Sequence, residues 1–257
     1  MAHSILCDID GVLCRGAKII PGARRFVSAL RRSGRKFLFL TNSLDHSPAE
    51  NRTRLLKLTG VDVPEDAFYT SAQALASFLA SQHPRARVYA IGSRALKDEL
   101  KRGGARLVDR RADFVVACSG GAFGVEQIQK AVELIDAGAR LITANREPNC
   151  PAERGTGPGC GAYIASIERA THREAYCVGK PNHLMIRAVE KRMNIRAQET
   201  IMIGDSLRTD IDVGLQAQMK TVLVLSGITT AEDLQRSPFQ PHFVFPSVAR
   251  IDLQRLP

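Results

Sequence analysis

Apolar and polar positions divide the chain into short buried runs separated by longer stretches with helical spacing. Residues 4–7 form a compact apolar run that breaks into Asp8, Ile9, Asp10 and Gly11, as a central parallel strand does where it meets a loop. Pro21 and Gly22 introduce a helix with Phe26, Val27 and Leu30 on its apolar side, stopped at Gly34, and residues 36–40 read as the next strand. Ser47, Pro48, Ala49 and Glu50 fit a capping box with proline at the first helical position, and Gly60 closes that helix. An extended piece ends near Tyr69, and Ser71 is placed to cap a helix that stops before His83 and Pro84.

The alternation then restarts. Residues 88–91 and 114–118 read as strands around a helix capped by Ser93, followed by an amphipathic helix over 124–137 with Val125, Ile128, Val132 and Ile135 on one side. A strand at 140–143 precedes the longest irregular stretch, 144–161, whose Gly and Pro content reads as a functional or mobile loop. From about residue 176 the first pattern resumes. It comprises a helix capped by Asn182, a buried strand at 200–203, a helix from Asp210 to Gln216, a strand at 221–225, a short helix near Thr230 and a last strand at 243–245. The predicted class is α/β, with a doubly wound parallel sheet.

Composition narrows the function classes. At 257 residues, with 44% hydrophobic and 24% charged residues, the chain has ordinary globular values. No apolar run approaches the roughly 18 residues of a membrane span, and the first strand starts too early for a signal peptide, so a cytoplasmic protein is expected. Six cysteines without a Cys-x-x-Cys pair are expected to be free thiols. A net charge of +10 favours acidic ligands, either phosphorylated metabolites or nucleic acid. The absence of Trp and 5% aromatic content disfavour nucleic acid, and a solvated face accounts for basic runs such as Arg31, Arg32, Arg35 and Lys36.

The candidate chemistry begins at Asp8 and Asp10. Side chains two apart in extended backbone point the same way, so both carboxylates can face one pocket. Their repulsion is relieved by a divalent cation, which leaves one carboxylate for nucleophilic attack and another for proton transfer. An acidic turn is the plain alternative. Three further pieces follow in order: Thr41 and Asn42 at the end of a strand, Gly179-Lys180-Pro181 before a helix, and Gly204-Asp205 through Asp210 after a strand. Lys180 is not a Walker lysine, because Pro181 stands where Ser or Thr is needed. Gly155, Gly157, Gly159 and Gly161 do not make a dinucleotide loop, since Cys160 takes the third glycine position and Pro158 interrupts it. His46, His83 and His183 lack metal-ligand spacing. Asp8 and Asp10 precede the middle block, whereas Lys180, Asp205 and Asp210 follow it. A single site therefore requires residues 83–175 to loop out as an inserted domain between 1–82 and 176–257.

With these motifs in hand, the sequence resembles the haloacid-dehalogenase-superfamily phosphohydrolases, and within them the NagD-like nucleotide phosphatases, over almost its full length. The resemblance implies a Rossmann-like core with an inserted α/β cap, and magnesium-dependent hydrolysis of small phosphate monoesters. Nucleoside monophosphates come first as substrates, with phosphoglycolate, pyridoxal phosphate or sugar phosphates as alternatives. It implies that Asp8 is the nucleophile and Asp10 the acid and base, with Gly11 turning the chain away. Thr41, Asn42 and Lys180 bind the phosphoryl group, Asp8, Asp205 and the Asp10 carbonyl hold Mg2+, and Asp210 supports the metal loop. Where such proteins read Asn-Pro-Asp in the cap, this chain has Asn145, Arg146 and Glu147, which are the expected specificity residues; Tyr163 is the next candidate. The expected partner is a small phosphorylated metabolite, with no membrane and a homo-oligomer left open. Two rivals are a receiver-like phospho-accepting module, which lacks an acid two residues after its nucleophile, and a basic nucleic-acid-binding protein.

Overall fold

The structure, a computed structural model, describes residues 3–120, 123–151 and 155–257. The chain opens with β1 (Ser4–Cys7), the hairpin β2 (Cys14–Arg15) and β3 (Lys18–Ile19), α1 (Ala23–Arg32), β4 (Phe37–Thr41), α2 (Pro48–Thr59), β5 (Phe68–Thr70) and α3 (Ser71–Gln82). A second series contains β6 (Arg87–Ile91), α4 (Arg94–Arg102), β7 (Arg106–Leu107), β8 (Phe114–Ala117), α5 (Val125–Asp136) and β9 (Arg140–Thr143). It continues through the hairpin β10 (Asn149–Pro151) and β11 (Thr156–Pro158), then α6 (Cys160–Thr171) and β12 (Tyr176–Cys177). The chain finishes with α7 (His183–Met193), β13 (Thr200–Gly204), α8 (Asp212–Gln216), β14 (Lys220–Val224), α9 (Ala231–Arg236) and β15 (Phe243–Phe245).

Two parallel sheets result. The first runs β15-β14-β13-β1-β4-β5 and the second β12-β9-β8-β6-β7. Both faces of the first sheet are covered at its centre, which is why β1, β4 and β13 are largely apolar. Ile5 and Cys7 of β1 pack with Phe26, Val27 and Leu30 of α1, while the intervening Leu6 packs with Met185 and Val189 of α7. The second sheet has its own core, in which Val88, Val115 and Ile142 meet Leu96, Leu134 and Ile164. Among the described residues, no helix is long and apolar enough to cross a membrane.

Strand order positions the site. β1 lies between β13 and β4, with Cys7 level with Ile203 on one side and Phe39 on the other. The loops after these three strands therefore converge at one edge, where open parallel sheets bind ligands.

Four local expectations need correction. The helix α3 is capped by Thr70 rather than Ser71: Thr70 Oγ1 accepts from the Gln73 amide at 3.3 Å, and the Ser71 hydroxyl donates to the Asn42 carbonyl at 2.9 Å. Val125 is 82% exposed, because the buried stripe of α5 runs through Ile128, Ala131, Leu134 and Ile135 and the first turn projects past it. The stretch 144–161 contains the β10–β11 hairpin and the start of α6, whose Ile164 and Ile167 fit a helical period behind a Gly- and Pro-rich prelude; residues 152–154 of it lie outside the described residues. Finally, α8 starts at Asp212. Residues Leu207–Ile211 form a wider π-type turn, in which the Ile211 amide reaches the Ser206 carbonyl at 3.1 Å.

Candidate active site

The apolar strand β1 carries Asp8 out of the core to a position only 7% exposed. Lys180 meets it from the loop before α7. Its ammonium donates to Asp8 Oδ1 at 2.6 Å, Asp210 Oδ1 at 2.6 Å and the Leu40 carbonyl at 3.0 Å, which uses all three protons. Asp210 in turn accepts from the Asp205 and Ser206 amides at 3.2 Å each through Oδ2, and Asp205 Oδ2 accepts from the Ile228 amide at 2.7 Å. Glycine is needed on both sides of Asp205. A Cβ on Gly11, whose φ is +88°, would lie 2.1 Å from Asp205 Oδ2, and one on Gly227 would lie 1.7 Å from it.

Asp8, Asp205 and Asp210 each offer a carboxylate oxygen within 4.8 Å of the others, and all three are buried. Burial pushes the carboxyl groups of Asp8 and Asp205 well up, and neighbouring carboxylates push further in the same direction. Burial alone would lower the Lys180 pKa, but Asp210 and Asp8 override it and hold the ammonium charged above lysine's ordinary value. Three buried acids against one buried cation leave an excess of negative charge. A hard divalent cation with oxygen ligands fits that charge and donor set.

Asp10 lines the same cavity, of about 1070 Å³. Its Oδ1 accepts from Arg54 Nη2 at 2.7 Å, and the same nitrogen donates to the Gly16 carbonyl at 2.8 Å. Arg54 lies on α2, as do the cavity-lining Thr53 and Lys57. The sequence reading missed this role: the helical spacing was visible, but nothing in it separates Arg54 from the many solvated arginines. Thr41 also lines the cavity, and its hydroxyl oxygen accepts from the Ser43 amide at 2.9 Å while keeping a proton to donate.

Three of the expected ligands are engaged by other groups of the protein. The Asn42 side chain is clasped to the Lys180 backbone, accepting from its amide at 3.0 Å and donating to its carbonyl at 3.1 Å, so it places Lys180 while its second N–H remains at the cavity wall. Arg146 turns away from the cavity to Glu168 at 3.0 Å and the Ala175 carbonyl at 3.4 Å. Glu147 lines the cavity, yet its Oε1 accepts from the hydroxyls of Ser206 at 2.8 Å and Thr209 at 3.0 Å. Burial pushes its carboxyl up, with Asp210 adding to the effect. Asn145 also lines the cavity and donates to the Asn42 carbonyl at 3.4 Å, and Tyr163 contributes to the cavity wall from α6.

Comparison with known proteins shows the family of the chain. Residues 5–106 match the haloacid dehalogenase-like hydrolase family and residues 177–251 a second HAD-hydrolase-like family. The chain is 38% identical to the ribonucleotide monophosphatase NagD of Escherichia coli K12, covering 97% of this chain and 98% of that protein; the solved NagD structure superposes with a TM-score of 0.87. It is 38% identical to the dihydroxyacetone phosphatase of Corynebacterium glutamicum, covering 96% and 89% of the two chains. A glycerol phosphate phosphatase from Mycobacterium tuberculosis, solved in complex with magnesium, is 31% identical with a TM-score of 0.87, covering 99% of this chain and 78% of that one.

Proposed function

The chain belongs to the haloacid dehalogenase-like hydrolases as a phosphomonoesterase of NagD type, and from that premise we propose that Asp8 is its nucleophile, Asp10 its acid and base, and Mg2+ its metal. The observation that carries this reading is the cluster of Asp8, Asp205, Asp210 and Lys180 on the cavity floor, with Asp10 two residues beyond the nucleophile. Asp8 and Asp205, with the Asp10 main-chain carbonyl, are the proposed ligands; Asp210, engaged by Lys180 and two amides, orients the loop that carries Asp205. When bound, Mg2+ supplies positive charge that favours the ionised carboxylates and neutralises the phosphoryl oxygens.

The protein's own groups perform the transfers. A carboxylate oxygen of Asp8 attacks phosphorus, the bond to the leaving oxygen breaks, and Asp10 gives that oxygen its proton. Asp10, now ionised, takes a proton from the water that attacks the aspartyl-phosphate, which releases inorganic phosphate and restores Asp8. The Thr41 hydroxyl donates to the phosphoryl group, and Lys180 holds a fixed positive charge beside the attacking carboxylate. The inserted segment that carries the second sheet serves as the cap; because β12 (Tyr176–Cys177) pairs with β9, the cap runs over 83–178 and not to the expected 175, with the core formed by 1–82 and 179–257.

For the substrate we favour nucleoside monophosphates or another small phosphorylated metabolite. The NagD and dihydroxyacetone phosphatase relatives bracket that range, and the cavity volume, near the upper end for small-ligand sites, accommodates it. A cytoplasmic location goes with free thiols at all six cysteines. The test is phosphate release from nucleoside monophosphates, sugar phosphates, phosphoglycolate, pyridoxal phosphate and a small aryl phosphate. Excess chelator should silence the protein and Mg2+ should restore it, with Ca2+ a poor substitute because its coordination is larger and looser. Undiminished turnover in chelator overturns the metal assignment.

A further inference from the structure

Residues 145–147 bridge the two loops that flank the nucleophile strand. On the β4 side, Asn145 Nδ2 donates to the Asn42 carbonyl at 3.4 Å. On the β13 side, Glu147 accepts from Ser206 and Thr209, which stand between and beside Asp205 and Asp210 in the chain. The bridge is itself anchored. The Glu147 amide donates to Asn145 Oδ1 at 2.8 Å, and the Glu147 carbonyl accepts from the Gly161 amide at 2.8 Å where α6 begins. A Cβ on Gly159 would come within 2.3 Å of that same carbonyl, so the backbones are in close contact there. A second cavity, of about 410 Å³, lies against Glu147, Ser206 and Ile228 and is lined further by Arg208 and Phe239. These three residues also line the active-site cavity, so the Glu147 contact stands at the wall between the two.

This arrangement is costly unless it does something. A half-buried carboxylate set down near Asp210 raises the negative charge of the site, and a neutral or apolar residue would join the two parts of the chain at less expense. What a carboxylate adds is one oxygen able to hold two hydroxyl protons at once in fixed directions. Both hydroxyls sit on the turn whose amides and carboxylates define the acidic cluster: the Ser206 amide bonds Asp210, and Asp210 bonds Lys180.

We propose that Glu147 is a positioning residue for the phosphatase reaction. Held by the second-sheet segment, its carboxylate fixes the Ser206 and Thr209 hydroxyls and so keeps the Asp205–Asp210 turn in register with Asp8. The inference rests on the phosphatase reading of the same site. It reassigns Glu147 from a leaving-group contact to a strut between the inserted segment and the metal-bearing loop. Because Glu147 acts through the turn and not on the leaving group, its loss should be felt alike by large and small substrates.

Two measurements on the whole protein test it. The first is the Mg2+ concentration that gives the half-maximal rise in melting temperature, read without substrate; the second is kcat and KM for a small aryl phosphate. For Glu147→Ala the half-maximal Mg2+ concentration should rise and kcat should fall, each by about 10- to 100-fold, as is typical when a residue that orients ligands is lost, with KM nearly unchanged. Glu147→Gln, whose amide oxygen still accepts hydroxyl protons, should recover most of both. If Glu147→Ala does not fold, Thr209→Val decides: it removes one of the two donors and should shift both readouts the same way by less. An unchanged Mg2+ midpoint and kcat in the folded variants overturn the proposal, as does an effect confined to KM for bulky leaving groups, which marks a substrate contact. A wild-type protein that binds Mg2+ but releases no phosphate sinks the phosphatase reading, while the midpoint comparison still tests the strut.

Discussion

Lys180 is the residue on which the site's electrostatics turn. Lys180, 2% exposed as a residue, carries the buried ammonium among Asp8, Asp205 and Asp210. Lys180→Met keeps the bulk and removes the charge, and breaking a buried ion pair on one side costs about 3–5 kcal/mol. Urea denaturation without metal should show a loss of that order, and Mg2+ should recover part of it by binding the folded state alone. Stability equal to wild type in the absence of metal would show that the ammonium balances nothing. The two aspartates of the first loop should separate kinetically. Asp8→Asn should leave a folded protein with no turnover, since an amide does not attack phosphorus. Asp10→Asn should lose about 100- to 10,000-fold, the usual worth of a positioned acid and base, and leave an aspartyl-phosphate that mass spectrometry detects. Near-normal turnover in Asp10→Asn would favour a phospho-accepting module instead.

At the scale of elements, the edge of the first sheet contains a proton-sensitive joint. The ring nitrogen Nδ1 of His242, just before β15, accepts from the Thr221 amide of β14 at 3.2 Å, and the His242 amide donates to Thr221 Oγ1 at 3.1 Å. Partial burial lowers the His242 pKa below its ordinary 6.5, and repulsion from Lys220 lowers it further. As pH falls through 6.5 the unfolded chain takes up the proton first, so the stabilising effect is complete above 6.5 and is lost as pH falls through the folded value. The melting temperature of the wild type should therefore drop more between pH 7 and 5 than that of His242→Asn, and equal slopes would refute the link. Elements specified by local signals were legible in the sequence. The apolar run ending at Asp8, and the Ser47 cap with its Glu50 partner at 2.7 Å, needed only neighbouring residues. Contacts between distant loops were not legible. Glu147 meets Ser206 and Thr209 across 59 and 62 residues, and Arg54 meets Asp10 across 44, and no spacing rule connects such positions. The order Asp8, Thr41, Lys180, Asp205 was readable because each residue sits where an apolar strand ends or a helix begins. The commitment of Asn42 to the Lys180 backbone was not, because a side-chain amide has the same residue type whichever partner it takes.

At the scale of the whole molecule, the helix α3 joins what the chain order separates. Leu75 and Leu79 lie in the core of the second sheet, while Ala74 of the same helix lies with Met185 and Val189 against the first. Leu44, from the loop after β4, also enters the second-sheet core, and the Ser93 hydroxyl at the start of α4 donates to its carbonyl. A helix shared in this way leaves the second core incomplete without the first, because the apolar groups that close the second core are anchored by strands of the first. Two consequences follow for unfolding. Calorimetry of the intact protein should give one transition, with equal calorimetric and van't Hoff enthalpies, and Mg2+ should move it as a unit. The segment 83–178, which keeps β12, lacks Leu44, Ala72, Leu75 and Leu79 when expressed alone, so its core is open on the side that α3 covers, and it should show no cooperative melt. Extending it to residue 71 restores three of those four side chains and should recover a melting transition. A cooperative transition in 83–178 by itself, or two resolved transitions in the full chain, would mean that the inserted segment is an autonomous domain and that α3 is a linker rather than a shared wall.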